Sequence, residues 1–397
     1  MTHCSNVEPL FTRAFIALGL AELCYFTAAG VAIFGLPLYV TGPIGGSDAW
    51  AGVAFGAFAL SALVLRPVAG RLSDTLGRRP LLLGGALIAA ASLALLTVAD
   101  DIAVIVALRL LAGVAEAAFF VAGFAAIADL APRKRLGEAL SYNSLGLYLG
   151  IALGPPLGEV LVGISGYVLA WTGAAVLAVI AAGLALLVGE TREPTAPGVA
   201  AEHRFIHRPA LPIVLGFLAS LVAMGGFLAF SSIHAVDVGL SNASLPLFTY
   251  GGVVVVCRIA FARVPDRVPP LALGATALGV LAGGLVIAAT WRSPIGLIAG
   301  AAVAAVGIAF TTPAFFSAIF ATASPTQRGV ASGTASAAID LGLGIGPIVL
   351  GLVAESFGIP WAFGIGAAVA GAGALWTLGL RRRRTTVSVP GADHDVG

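Results

Sequence analysis

Charge is scarce in this chain of 397 residues. Acidic and basic side chains make up 10% of it, where a soluble globular protein carries about 25%. Lys134 is the single lysine; every other basic residue is arginine. The formal net charge of +2 leaves no strongly basic surface, which argues against nucleic acid as a partner. The three cysteines, Cys4, Cys24 and Cys257, are odd in number and far apart, so no disulfide framework or metal spacing emerges. The five histidines form no cluster with cysteine or aspartate at ligand spacing. HExxH, CxxC and a phosphate-binding P-loop are all missing, and with them the usual signatures of zinc hydrolysis, thiol redox chemistry and ATP-driven work. No metal and no cofactor are expected.

What fills the chain is apolar. Hydrophobic residues account for 59%, and the mean hydropathy is +1.02. In water such a composition would expose large apolar patches; it fits a polytopic membrane protein whose solvent is the lipid bilayer. A membrane-crossing helix needs about 20 mostly apolar residues. That rule finds spans near 14–40, 49–69, 80–99, 102–128, 138–162 and 167–189, then 210–236, 245–264, 270–290, 294–322, 329–354 and 358–380. The first run is too long for a cleavable signal. Runs of this length exclude barrel strands. The expected fold is all-α and integral to the membrane, with twelve transmembrane helices in two six-helix bundles. Residues 1–189 form the first bundle and 210–384 the second, joined by a polar, proline-containing linker at 190–209, with a tail at 385–397.

With the N-terminus inside, the inner loops receive Arg71, Arg78, Arg79, Arg133, Lys134, Arg135, Arg192, Arg204, Arg208, Arg263, Arg267 and Arg328, and the tail adds Arg381 to Arg384; the outer loops receive Arg292 alone. The positive-inside rule then places both termini in the cytoplasm of a cell that carries the protein in its inner or plasma membrane. An ungapped shift of 192 residues aligns Arg66 with Arg258, Arg71 with Arg263, Asp74 with Asp266, Gly150 with Gly342, Gly154 with Gly346 and Pro155 with Pro347. Two parallel, pseudo-symmetric halves are the simplest explanation, an arrangement transporters use with a site near the midplane between them.

Three motifs then carry a resemblance. "GRLSDTLGRR", Gly70 to Arg79, resembles the signature loop of the major facilitator superfamily. "RLLAG", Arg109 to Gly113, and "GIALGPPLG", Gly150 to Gly158, are similar to its fourth- and fifth-helix motifs, the latter associated with proton-coupled exporters. Within that superfamily the chain looks most like bacterial drug and arabinose-efflux permeases. Departures are visible: Glu159 stands where the fifth-helix motif usually ends in glycine, the first helix keeps only Pro37, and Ala262 and Pro269 replace the glycines in the second copy of the loop. The resemblance implies a proton antiporter exporting a small hydrophobic or amphipathic molecule by alternating access, functional as a monomer. Proton-coupled uptake is the neighbouring alternative; an integral membrane enzyme or a non-transporting receptor is the alternative of another class.

Site expectations follow. Gly70, Asp74, Gly77, Arg78 and Asp129 form a conformational latch: the glycines permit tight turns, Asp74 faces the N-terminal dipole of helix 11 as the resemblance implies, and Arg78 pairs with Asp129. Gly150, Gly154, Pro155, Gly158, Gly346 and Pro347 permit close packing and bending of helices 5 and 11. Ionisable groups at membrane depth point to function. Glu22 is the first candidate for proton coupling, with Glu116 and Asp340 behind it; Arg109, at a depth similar to Glu22, tunes or gates, and a Glu22–Arg109 ion pair is the rival reading. Tyr25, Phe26, Phe119, Phe120, Phe227 and His234, together with Tyr142 and Asn143, are candidates for lining the cavity. Arg66 and Arg258 read as snorkelling groups, and Glu159 as a solvated one.

Overall fold

The structure, a computed structural model, describes residues 10–132, 135–192, 206–324 and 327–387. Most of the linker and of the tail, and the side chains of Tyr142 and Asn143, lie outside the described residues. Helices α1 (Arg13–Thr41), α2 (Asp48–Leu76), α3 (Arg78–Leu95) and α4 (Ile102–Leu130) open the chain. The helical stretch Leu136–Val188 is broken at Ser165 and Gly166, where Gly166 takes φ 72°; this left-handed turn, open to glycine at little cost, separates α5 (136–164) from α6 (167–188). The second half contributes α7 (Leu211–Asp237), α8 (Leu245–Ala260), α9 (Pro270–Thr290), α10 (Pro294–Phe320), α11 (Arg328–Phe357) and α12 (Ile359–Val387). All but α8 lie in stretches long and apolar enough to cross a membrane.

Local chemistry sets the boundaries. Thr12, Ser47, Asp101 and Ser293 begin α1, α2, α4 and α10 by accepting a hydrogen bond from a first-turn amide, which satisfies donors the helix leaves orphaned. Gly77, at φ 106°, ends α2 and starts α3 in one residue. The charged segment from Arg66 to Leu76, expected as a loop beyond residue 69, is the last turns of α2. Its repeat differs: α8 stops at Ala260, and a separate short helix, Val264–Arg267, carries Asp266. Pro265, Pro269 and Pro270 remove the amides that would continue the helix.

Two equivalent contacts organise the halves. In the first, α5 packs on α1; a methyl group on Gly150 would meet Phe26 and Thr27, and one on Gly154 would meet the backbone of Gly30 at 2.5 Å. In the second, α11 packs on α7, with Gly342 and Gly346 against Leu221 and Val222. Small residues at these spacings let helices approach closely where no hydrophobic force drives them together. Large apolar side chains such as Val64, Val98, Ile164, Ile295 and Leu375 point outward, as lipid-facing positions require.

The halves meet along α2 and α11, and along α5 and α8. Gly52 lies against the carbonyl of Pro347, Gly56 against that of Gly344, and Gly351 against the backbone of Asp48 and Ala49. Gly251 of α8 lies against Ala152 of α5. The α2–α11 glycine contacts lie towards one end, the one that carries Ser47, Ser244 and Gly358.

Candidate functional site

The intramembrane charges gather around α1, α2, α4 and α11. Glu22 of α1 is 3% exposed, and its Oε2 has no hydrogen-bond partner. Its Oε1 occupies space that a side chain at Gly123 of α4 would need. Arg109 turns away from it: Nε donates to the Ala54 carbonyl at 3.2 Å, and the guanidinium lies 4.8 Å from the centre of the Phe58 ring. The Glu22–Arg109 ion pair, the rival reading from sequence, is therefore not made. A carbonyl and an aromatic face on α2 hold the cation instead, so similar depth on neighbouring helices did not translate into contact. Glu116, on α4, lies within electrostatic reach of Arg66, Arg109, Asp340 and Tyr25, and Glu22 within reach of Glu116.

Arg66 departs from its expected role. It does not snorkel; it crosses between the halves. Nε and Nη2 donate to the two carboxylate oxygens of Asp340, the second at 2.7 Å, and the guanidinium lies 4.5 Å over the Phe120 ring. The side chains of the pair are 13% and 4% exposed. A bidentate guanidinium–carboxylate pair fixes both angle and distance, so α2 and α11 are locked here in register. On the other side of the interface Arg258 of α8 donates from Nη2 to the Tyr148 hydroxyl at 3.1 Å, with its guanidinium 4.5 Å over that ring.

Near the end that carries Ser47, Glu159 makes a third bridge. Its carboxylate accepts from the Ala243 amide at 2.6 Å and from the Ser244 amide and hydroxyl at 3.4 and 2.6 Å. This corrects its reading as a solvated group: the carboxylate satisfies amides just before α8. At the opposite end Arg78 Nε stands 3.1 Å from Asp129 Oδ2, while Asp74, its side chain 75% exposed, bonds to Arg78 at 3.0 Å. Asp74 does not cap α11, whose start has no side-chain cap. Gly70 has open space around it, so nothing packs close enough there to require glycine.

The linker supplies what the loop motif did not announce. The Glu190 carboxylate accepts from the amides of Arg78, Arg79 and Arg192 at 2.9, 3.2 and 3.0 Å, and Thr191 donates to Asp129 at 3.0 Å. Partial burial pushes the Glu190 carboxyl up; the amide hydrogen bonds and the Arg78 charge outweigh it and hold the carboxyl below its ordinary range. A side chain at Gly77 would overlap that carboxylate.

The aromatic candidates divide. Phe120 sits at the interface under Arg66. Tyr25 stacks on Phe119 at 4.1 Å and meets Phe26 edge-on, inside the first half. Phe227 packs on Tyr250 and Phe363, and His234 lies edge-on to Phe363. Phe119 and Phe227, at 0% and 1% exposure, present no surface to a cargo in this conformation. Helical packing within each bundle uses their area first.

Tyr148, Glu190 and the bridging roles of Arg66, Arg258 and Glu159 were missed from sequence. A signal existed for the arginine contacts: the same offset that aligns Arg66 with Arg258 aligns Tyr148 with Asp340. No comparable signal marks Glu190.

Comparison with known proteins bears on the whole chain. A family model described as Major Facilitator Superfamily matches residues 18–323 and 270–395. An uncharacterized MFS-type transporter of Burkholderia mallei (strain SAVP1) is 30% identical over 386 residues, 93% of this chain and 92% of the relative. Another from Pseudomonas aeruginosa (strain UCBPP-PA14) is 31% identical over 391 residues, 94% and 95% of the two chains. The fold is similar to the crystal structure of a bacterial homolog of the human lysosomal transporter Spinster, inward-facing and occupied, with TM-score 0.76 at 16% identity over 96% of this chain and 98% of that one.

Proposed function

This chain belongs to the Major Facilitator Superfamily, and we propose that it exports a small hydrophobic or amphipathic molecule in exchange for protons, with Glu22 as the proton carrier. The observation that carries this is the state of Glu22. It is buried at membrane depth with a vacant Oε2 and no cation beside it in an ion pair. A carboxylate in that setting is costly to keep charged, so a proton is the simplest partner when the site is closed to water. Glu116 lies within electrostatic reach of both Glu22 and the Arg66–Asp340 bridge. A charged Glu116 repels Asp340 and draws on Arg66, so its protonation would tighten the bridge between the halves and protonation of Asp340 would release it, which links proton occupancy to conformation. Arg109 of α4, held against α2, tunes Glu116.

Residues 1–189 and 210–384 act as two bodies that rock about the midplane, joined by the 190–209 segment, with 385–397 as a tail. The distribution of arginines supports cytoplasmic termini and a cell membrane location. The glycine contacts of α2 with α11 then close the outer side, together with Glu159, and the exposed Asp74 belongs to an inner latch that is disengaged. Alternating access replaces one set of contacts by the other. One body in the membrane suffices for this cycle, and it functions as a monomer.

The test is proton-coupled flux in inside-out vesicles with an acid interior, using a panel of dyes, antibiotics and sugars. Substrate-triggered alkalinisation of the lumen by the unaltered protein, lost in Glu22→Gln, is expected. Coupling unchanged in that variant moves the proton to Glu116 or Asp340. Accumulation only in the opposite direction replaces export by proton-driven uptake.

A further inference from the structure

The two arginine contacts between the halves are images of each other under the 192-residue offset: Arg66 corresponds to Arg258, and Asp340 to Tyr148. They are chemically unequal. Arg66 meets a carboxylate through two hydrogen bonds. Arg258 meets a neutral phenol through one hydrogen bond and a ring face. The symmetric frame thus holds two arginines and one acid. Among the described residues no carboxylate lies within ion-pair distance of Arg258.

Two further groups at this place are unsatisfied. Arg258 is half-buried, yet its Nε is buried without a hydrogen-bond partner. The Tyr250 hydroxyl is also buried without a partner, and it lies within electrostatic reach of both Arg258 and Tyr148. Tyr250 and Arg258 stand eight residues apart on α8, about 12 Å along the axis, and two long side chains can converge across that span. Behind Tyr250 lies the Phe227 ring, 5.5 Å away. A half-buried cation without a counter-charge is costly, and a ring face offsets only part of that cost. A guanidinium with an open edge, a free phenol and an aromatic wall have the chemistry of a receptor for an anion carried on an apolar body.

We propose that Arg258, with Tyr148 and the Tyr250 hydroxyl, binds the anionic head of the cargo, and that the cargo is therefore a small amphipathic organic anion, a carboxylate or sulfonate. This rests on the transport reading above and names its substrate class. The bound anion does for Arg258 what Asp340 does for Arg66, so loading completes the second of two matched bridges between the halves.

Three probes with one apolar body separate the possibilities: 1-pyrenebutyrate, 1-pyrenebutanol and 1-pyrenebutylamine. The melting temperature of the purified full chain in detergent is followed against probe concentration, with no proton gradient present. The butyrate is expected to raise it saturably, and the alcohol and amine are not. Arg258→Gln should raise the half-effective butyrate concentration at least tenfold, with Arg258→Lys in between; the unliganded melting temperatures establish that both variants fold. Equal responses to the three probes, no response to the butyrate, or a response unchanged in Arg258→Gln overturns the proposal. The transport reading fails separately. Arg258-dependent butyrate binding with no proton movement in vesicles sinks proton coupling and leaves the anion site. Proton-coupled flux of the alcohol or amine without such binding does the reverse.

Discussion

Removing the acid from the Arg66–Asp340 bridge should be among the most disruptive single changes available in the membrane interior. The pair is bidentate, its side chains are 13% and 4% exposed, and it joins helices from opposite halves. Asp340→Leu leaves the Arg66 guanidinium buried against the Phe120 face, with Glu116 as its remaining acid within electrostatic reach. Breaking one side of a buried pair costs about 3–5 kcal/mol, because the surviving charge is uncompensated; the ring face offsets about 0.5–2 kcal/mol of that. The expected net loss is about 1–4.5 kcal/mol, roughly one to three factors of ten in equilibrium at about 1.4 kcal/mol each. Replacing both partners, as Arg66→Met with Asp340→Leu, should restore most of it, since a well-packed apolar pair avoids desolvating two charges. The assay is reversible unfolding in mixed micelles of rising dodecyl sulfate content, run as a double-mutant cycle. A loss under about 1 kcal/mol for Asp340→Leu, or single effects that simply add in the double variant, would refute the reasoning that this pair is a buried bridge.

Three other expectations come from the same geometry. Gly77→Ala should lower stability by about 1–3 kcal/mol, because φ 106° is strained for alanine and the new methyl meets Glu190; Glu190→Ala in that background should recover only the steric part, which thermal unfolding can resolve. Glu190 itself sets a pH dependence. Its carboxyl is held below the ordinary range by amide hydrogen bonds, so its contribution is complete above the unfolded carboxylate range and fades as pH falls through the lowered value; comparing melting temperatures of the protein and Glu190→Gln across acid pH should show the two curves converging downward. Gly52→Leu cannot coexist with the Pro347 carbonyl in its present place, so α2 and α11 must part at that end; a cysteine at Ala49 should then react faster with a membrane-impermeant maleimide.

The helices were legible because a membrane imposes length and composition on each one. Boundaries fell within a few residues where a cap or glycine marked them, as at Ser47, Asp101 and Gly166. The end of α2 was misplaced because charge was taken as a loop signal, whereas the helix runs on through Pro67 and Gly70 and ends only at Gly77. The repeat was visible in Arg66 and Arg258, yet their partners were not, since a periodic pattern reports which residues are equivalent and not what they touch. Rise per residue assigned Glu22 and Arg109 similar depths. Depth fixes one coordinate, and the rotation of α4 that aims Arg109 at Ala54 is decided by packing. Asp74 belongs to a different case: its expected partner lies across the interface, and under the alternating-access reading proposed above the contact depends on which end of the molecule is closed.

The most direct test of the central claim is to watch Glu22 carry its proton. Infrared difference spectra of the reconstituted protein, recorded as pH is stepped, report the carbonyl stretch of protonated carboxyl groups. The account predicts a band that appears on acidification, shifts when cargo binds, and is missing in Glu22→Gln while Glu116→Gln and Asp340→Asn retain it. A spectrum in which Glu22→Gln leaves every protonation band in place would contradict it.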